Sequence, residues 1–178
     1  MESNDIRLSE LKVGVIINTS SGGCDLESEQ TMLSILKGAG IAEPKMWCGG
    51  ADYMEPSFAE AAGQKLEVLI VLGGDGTIRT AAEACAQEGP YLIPLPGGTM
   101  NMLPRALYGD VSWEDPLENT LTAPSAKVLS GGRVADKQFF IAAIVGAPVL
   151  WAEVRESIRE GDIAEAIENG SIAFRKHV

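Results

Sequence analysis

Histidine is almost missing from this chain: His177 is the only one, one residue from the end of 178. A histidine-based triad or metal cluster is hard to build from it. Cysteine is also scarce. Cys24, Cys48 and Cys85 are odd in number, far apart and without a Cys-x-x-Cys pair. That argues against a disulfide framework or a zinc site and for a reducing, cytoplasmic setting. Positive charge is short too, with 14 basic residues against 25 acidic ones and a net charge of -11. Such a chain is a poor partner for nucleic acid and has no standing attraction to anionic lipid, which leaves brief membrane visits. The longest apolar stretch, Phe139 to Trp151, is too short to span a bilayer and is interrupted by Gly146 and Pro148. Met1-Glu2-Ser3-Asn4-Asp5 has neither a basic region nor an apolar core, so no signal peptide is expected. The expectation is a soluble protein.

What is present is an ordinary globular composition, 46% hydrophobic and 22% charged. The length suits one well-buried domain, or one domain plus part of another. The most informative stretch begins Val68-Leu69-Ile70-Val71-Leu72, an unbroken apolar run expected of a central parallel strand covered on both faces. Gly73-Gly74-Asp75-Gly76-Thr77 follows and leads into a helix. The glycines allow left-handed dihedrals and close approach of a ligand to backbone N–H groups. Thr77 is the candidate helix cap, and a helix start favours an anion. Asp75 is the odd member, because a carboxylate repels a bound phosphate unless Mg²⁺ or a substrate hydroxyl lies between them. The bland alternative is a strand-to-helix turn with a stray acid. Three glycines around an Asp, then Thr, favour ligand binding over it.

Taken in order, Val13 to Ile17 reads as a first strand ending in the small polar loop Asn18-Thr19-Ser20-Ser21-Gly22-Gly23. That loop can offer N–H and hydroxyl groups to a phosphate or simply turn the chain. Asp25 caps a helix through Lys37, with Leu26, Leu33 and Leu36 as inward candidates and Gly38 and Gly40 as its stop. Pro44 to Trp47 predicts a short strand leaving through Cys48-Gly49-Gly50, and Ser57 to Ala62 a helix ended by Gly63. The helix after the first glycine motif ends near Gln87. Tyr91 to Leu95 is a short strand whose Pro94 indicates an end position or an irregular ladder. It enters a second glycine loop, Pro96-Gly97-Gly98-Thr99-Met100-Asn101, followed by a short helix from Met102 to Leu107. Asp115-Pro116 predicts a cap and first turn for a helix through Leu121.

This alternation predicts an α/β fold, a mainly parallel sheet with helices on both faces. Ligands in such folds sit beyond the C-terminal strand ends. The loops at Asn18, Cys48, Gly73 and Gly97 all leave that edge, so one composite site is expected. After Pro124 the pattern changes. Strands at Ala126 to Leu129 and Gln138 to Val145, joined by residues 130–137, and a helix from Trp151 to Arg159 look like the start of a second, β-rich domain. The expected organisation is 1–124 as a nucleotide-binding lobe and 125–178 as the incomplete beginning of that domain. Its apolar faces and unpaired edges suggest self-association into a homo-oligomer.

Gly73-Gly74-Asp75-Gly76-Thr77 with Gly98-Thr99-Met100-Asn101-Met102-Leu103-Pro104-Arg105 resembles the catalytic domain of the diacylglycerol kinase and bacterial lipid kinase family. Asn18, Ser21 and Gly22 match that family's opening Asn-Pro-x-Ser-Gly, with Thr19 in place of proline. The first motif is shared with NAD kinases; the second points to lipid kinases. No Walker lysine motif is present, so a P-loop enzyme is not the model. The resemblance implies ATP and Mg²⁺ as cofactors. Gly73, Gly74, Asp75, Gly76, Thr77, Gly98 and Thr99 would hold the phosphates, with Asn18 and Cys48 close to the nucleotide. Asp75 would orient Mg²⁺ or waters as the catalytic and metal residue, and Asn101 would brace the second loop.

Two departures stand out. Met102 replaces the family's Asp and is expected to be a buried core residue, while Arg105 is either a family match or a surface ion pair. The family's second domain supplies further metal acids and the catalytic base, and these are not found before Val178. The expectation is therefore an ATP-dependent lipid kinase acting on a hydroxyl lipid such as diacylglycerol, cytoplasmic and peripheral at the membrane, incomplete and inactive as these 178 residues. The alternatives are an NAD kinase-like enzyme and a non-catalytic nucleotide-binding or regulatory domain.

Overall fold

Two apolar runs form the centre of the sheet. In the computed structural model, which describes residues 7–25, 27–86, 88–134 and 137–140, β1 is Val13–Asn18 and β3 is Val68–Gly73. Every residue of both strands is buried. They lie side by side and parallel, with Val15 opposite Ile70 and Ile17 opposite Leu72. β2, Lys45–Gly49, adds to the outside of β1, and β4, Tyr91–Pro96, to the outside of β3. The order is β2-β1-β3-β4, all parallel. Pro94 thus stands on a strand at the end of this order, where a missing N–H is tolerated.

Side chains alternate between the sheet faces. Val15, Ile17, Ile70, Leu72 and Leu95 pack on one side with Met32 and Leu36 of α1, Glu27–Gly38, and Leu117 of α5, Glu114–Thr122. Ile16, Leu69 and Val71 face the other side. There they meet Met54 and Phe58 of α2, Met54–Ala62, Ile78 and Ala81 of α3, Asp75–Ala84, and Leu103 of α4, Met102–Tyr108. The chain has the α/β fold expected, with a parallel sheet covered on both faces.

Some boundaries differ from expectation. Asp25 does cap α1, its Oδ1 accepting the Ser28 N–H at 2.8 Å. Inside α1, Met32 is buried beside Leu36 while Leu33 is only half-buried; Leu26 lies outside the described residues. α2 starts at Met54 rather than Ser57, because Met54 already packs in the core. α3 stops at Ala84, short of Gln87, which is not among the described residues. α5 begins at Glu114 behind Trp113, whose buried side chain anchors the entry, so Asp115 sits inside the first turn rather than at the cap.

The larger correction follows Pro124. Ala126 to Leu129 is not a strand, and Val128 is 99% exposed. The observed pair is β5, Gly132–Val134, which lies within the segment expected to be a connection, antiparallel to β6, Lys137–Phe139, which opens the strand expected from Gln138. A hairpin closing over two residues fixes less chain than one closing over eight, which favours this local pairing. The rest of the strand expected through Val145 and the helix from Trp151 to Arg159 lie outside the described residues. No helix among the described residues is long and apolar enough to cross a membrane.

Candidate functional site

From β1 the chain crosses to β2 on one side, and it later returns as β3 on the other. The C-terminal ends of β1 and β3 are therefore the switch point of the sheet, where departing connections leave a crevice. Four loops meet there. The Thr19 N–H donates to the Gly49 carbonyl at 2.9 Å, and the Gly97 N–H to the Gly73 carbonyl at 3.0 Å. The Gly23 N–H reaches the Gly97 carbonyl at 2.9 Å. Serine hydroxyls add two ties: Ser21 Oγ accepts the Gly74 N–H at 2.9 Å and Ser20 Oγ the Ala51 N–H at 3.0 Å. The loops expected at one edge do converge.

Asn18 is buried and bonded at both ends of its amide. Its Nδ2 donates to Thr77 Oγ1 at 2.9 Å, and its Oδ1 accepts the Ser20 N–H at 3.0 Å. Asn18 thus fastens the end of β1 to the first turn of α3. Thr77 is not the helix cap: α3 starts at Asp75 after Gly74, and Thr77 lies within the first turn. The reason is the extended Gly74, φ −81° and ψ 178°, which lets the helix begin at Asp75, three residues earlier than a Thr77 cap would allow. The first helical bond runs from the Ile78 N–H to the Gly74 carbonyl. The N–H groups of Asp75, Gly76 and Thr77 precede it, so they are the ones a helix leaves for an anion.

The glycines act by close approach, not by left-handed dihedrals. Among the described residues positive φ occurs at Gly40, Gly109, Lys65 and Asn101, and not in the Gly73–Gly76 turn. A Cβ on Gly98 would stand 2.7 Å from Gly74 Cα, and one on Gly97 2.8 Å from the Gly73 nitrogen. The two glycine loops are stacked backbone on backbone, closer than any side chain permits.

Asn101 closes the second loop on itself. Its Oδ1 accepts the Gly98 N–H and its Nδ2 donates to the Gly98 carbonyl, both at 2.7 Å. It does so from the left-handed region, φ 50° and ψ 46°, which an Asn tolerates better than most residues. It braces the loop as expected, with both ends of its amide committed to Gly98. Thr99 at the tip is exposed. Asp75 accepts two backbone N–H groups, that of Asn101 on Oδ2 at 3.1 Å and that of Met102 on Oδ1 at 2.6 Å. Met102 is not in the core: it is 43% exposed, because its position is set by the backbone bond and its side chain points outward.

Cys48 lies on β2 opposite Ile17, half-buried against the α1 side of the core, where burial first and Glu29 second push its thiol up. Cys24 carries more of the site than its sequence suggested. Its Sγ donates to the Gly97 carbonyl at 3.6 Å, and burial, with Asp25 and Cys48 adding, raises its pKa to about 12. Arg105 forms an ion pair with Asp110 at 2.8 Å, the surface reading of that residue. Ser20 and Cys24 are site residues that the sequence reading did not assign, and Ser21 was named only as a motif match; the small polar loop signals the two serines, and nothing in the sequence signals Cys24.

Asp75 is the one carboxylate in the two glycine loops. Among the described residues no group of three or more His, Cys, Asp or Glu is placed to hold a metal ion. Asp75, the acid expected to orient the ion, already accepts an N–H on each oxygen. A groove of about 450 Å³ adjoins Asn18 and Thr77 and is floored by Met54 and Phe58, with Glu55 at its side. A larger cavity of about 680 Å³ runs along β4, α4 and α5, away from the polar loops, and is lined by groups such as Leu92, Leu107 and Val111.

Comparison with known proteins agrees with this fold. A diacylglycerol kinase structure from Bacillus anthracis str. Sterne matches with TM-score 0.57 and 23% identity, over 72% of this chain and 45% of that one. Two further structures from the same strain match with TM-scores of 0.59 and 0.60 and identities of 26% and 24%, over 72% of this chain and 45% and 46% of theirs. The chain thus spans less than half the length of these structures. No curated protein sequence matches it. The family model of the diacylglycerol kinase catalytic domain matches residues 12–131. That match covers about two thirds of the sequence and takes in both stacked glycine loops, so the chain belongs to the diacylglycerol kinase catalytic domain family.

Proposed function

We propose that this chain is the nucleotide-binding lobe of an ATP-dependent lipid kinase, which transfers the γ-phosphate of ATP to a hydroxyl of a lipid such as diacylglycerol. The observation that carries the reading is the stacking of two glycine loops over the first turn of α3 at the switch point of the sheet. Backbone N–H groups at Asp75, Gly76 and Thr77 are suited to phosphate oxygens, whose charge the helix dipole favours. Phosphoryl transfer relies mainly on positioning and charge neutralisation, so a rigid N–H cradle supplies a large part of what it needs. The groove beside Asn18 and Thr77, with its apolar floor, suits the nucleoside end of the donor. Mg²⁺ would come bound to the phosphates of ATP, as it usually does in phosphoryl transfer.

The acceptor end is read from two exposed methionines. Met100 and Met102, 48% and 43% exposed, flank Asn101 at the rim of the second loop. Apolar side chains there suit a lipid better than a sugar or a second nucleotide. With a net charge of -11, membrane contact is transient and peripheral, made through such groups rather than through charge. Two measurements test the proposal. ATP should raise the melting temperature of the chain, whereas labelled phosphate should reach a hydroxyl lipid in mixed micelles only when the family's β-rich second domain is present with this lobe. Absence of ATP binding, or NADP formed from NAD in place of lipid phosphate, would overturn it.

A further inference from the structure

α4 has no cap of its own. Asn101, the residue before it, makes no side-chain bond to the helix, because both ends of its amide are held by Gly98. The N–H groups at its start are taken instead by Asp75 from another helix, through Oδ1 to Met102 at 2.6 Å and Oδ2 to Asn101 at 3.1 Å. A carboxylate on two N–H groups at a helix start is a charge-assisted cap. Nothing else among the described bonds joins the first turn of α3 to the first turn of α4. The same carboxylate sits one residue beyond Gly74, on which Gly98 is stacked.

We infer that Asp75 is a positioning residue whose carboxylate caps α4 from α3 and holds the second glycine loop in place, rather than a metal ligand. The chain of support runs from Asp75 to the Asn101 backbone, from the Asn101 side chain to Gly98, and from Gly98 to Gly74. Loss of the carboxylate frees the N–H groups of Asn101 and Met102 and releases the left-handed Asn101. The Gly98 loop then loses its fixed place over the first turn of α3. This rests on the proposed function only for its consequence in ATP binding; the capping itself is independent of any ligand.

Amide hydrogen exchange on the ligand-free protein reads the cap directly. In Asp75→Asn the side chain turns an NH₂ toward one of the two N–H groups, so exchange at Met102 and Asn101 should rise on the order of tenfold or more, while β1 and β3 stay protected. ATP affinity should fall by a similar factor with Mg²⁺ and in EDTA alike. Gly98→Ala is the companion variant. It leaves the carboxylate intact but pushes the loop off Gly74, and it should reproduce the loss of affinity. Unchanged exchange at both amides in Asp75→Asn overturns the inference, as does a loss of ATP affinity seen with Mg²⁺ but absent in EDTA. Should Asp75→Asn not fold, Asp75→Ser takes its place, and unchanged exchange at both amides in that variant overturns it. Absence of ATP binding by the parent protein would instead sink the proposed function and leave the exchange result standing.

Discussion

Gly97→Ala tests the stacking of the two loops most directly. The new Cβ would lie 2.6 Å from Cys24 Sγ, 2.8 Å from the Gly73 nitrogen and 2.9 Å from Gly73 Cα, where ordinary contact is 3.4–4 Å. Gly73 cannot yield, because it ends a fully buried central strand paired on its other side with β1. The second loop must therefore move by several tenths of an ångström. That stretches the Gly97 to Gly73 bond of 3.0 Å and the Gly23 to Gly97 bond of 2.9 Å. Overpacking of this kind costs about 1–3 kcal/mol. In a chain of this size each kcal/mol lowers the melting temperature by roughly 2–4 °C, so the fall should be about 2–12 °C. Gly76→Ala is the control within the first motif. A Cβ there meets nothing within 4 Å, and the position lies in the first turn of α3, where Ala is the better helix former. It should be neutral or stabilising by up to ~1 kcal/mol. Thermal melts followed by circular dichroism, with denaturant midpoints beside them, measure both. A Gly97→Ala protein melting at or above the parent temperature would refute the stacking argument.

Leu72→Ala removes a fully buried side chain from the α1 face of β3 and should cost about 2–5 kcal/mol in denaturant unfolding. Asn101→Ala loses both bonds to Gly98 and forces a left-handed Ala, for a total of about 2–4 kcal/mol, whereas Asn101→Gly keeps the dihedral and should cost less; equal losses in the two variants would show that the dihedral contributes nothing. The thiols give a pH dependence. Burial raises the folded-state pKa of Cys24 to about 12 and of Cys85 to about 11 from the ordinary 9.0. Above that ordinary value the unfolded chain has released thiol protons that the folded chain still holds, so unfolding is increasingly favoured as pH rises from 9.0 toward 11 and 12. Denaturant midpoints across that range should fall, and fall less in Cys85→Ala after correction for its lost packing; a flat profile in the parent protein contradicts the burial.

The four strands of the parallel sheet, their pairing class and the edge at which the loops meet were legible in the sequence; the pairing after Pro124 was not. An unbroken run such as Val68 to Leu72 has no stable place except between two covered faces, and alternation with helices leaves few topologies. The two glycine motifs also announced the site, since loops leaving the same edge of such a sheet have one crevice to share. Side-chain partners across the chain were not legible. That Asp75 would meet the N–H groups of residues 26 and 27 positions further on depends on where β4 lays the second loop, which is a matter of sheet register. The same holds for Asn18 with Thr77 and for Cys24 beneath Gly97. Met102 misled because local sequence gives hydrophobicity but not direction. Local chemistry fixed the elements and the kind of loop; only the packing of β3 against β4 decided which groups face a ligand and which are held by one another, because hydrogen bonds between distant residues exist only once register sets their distance.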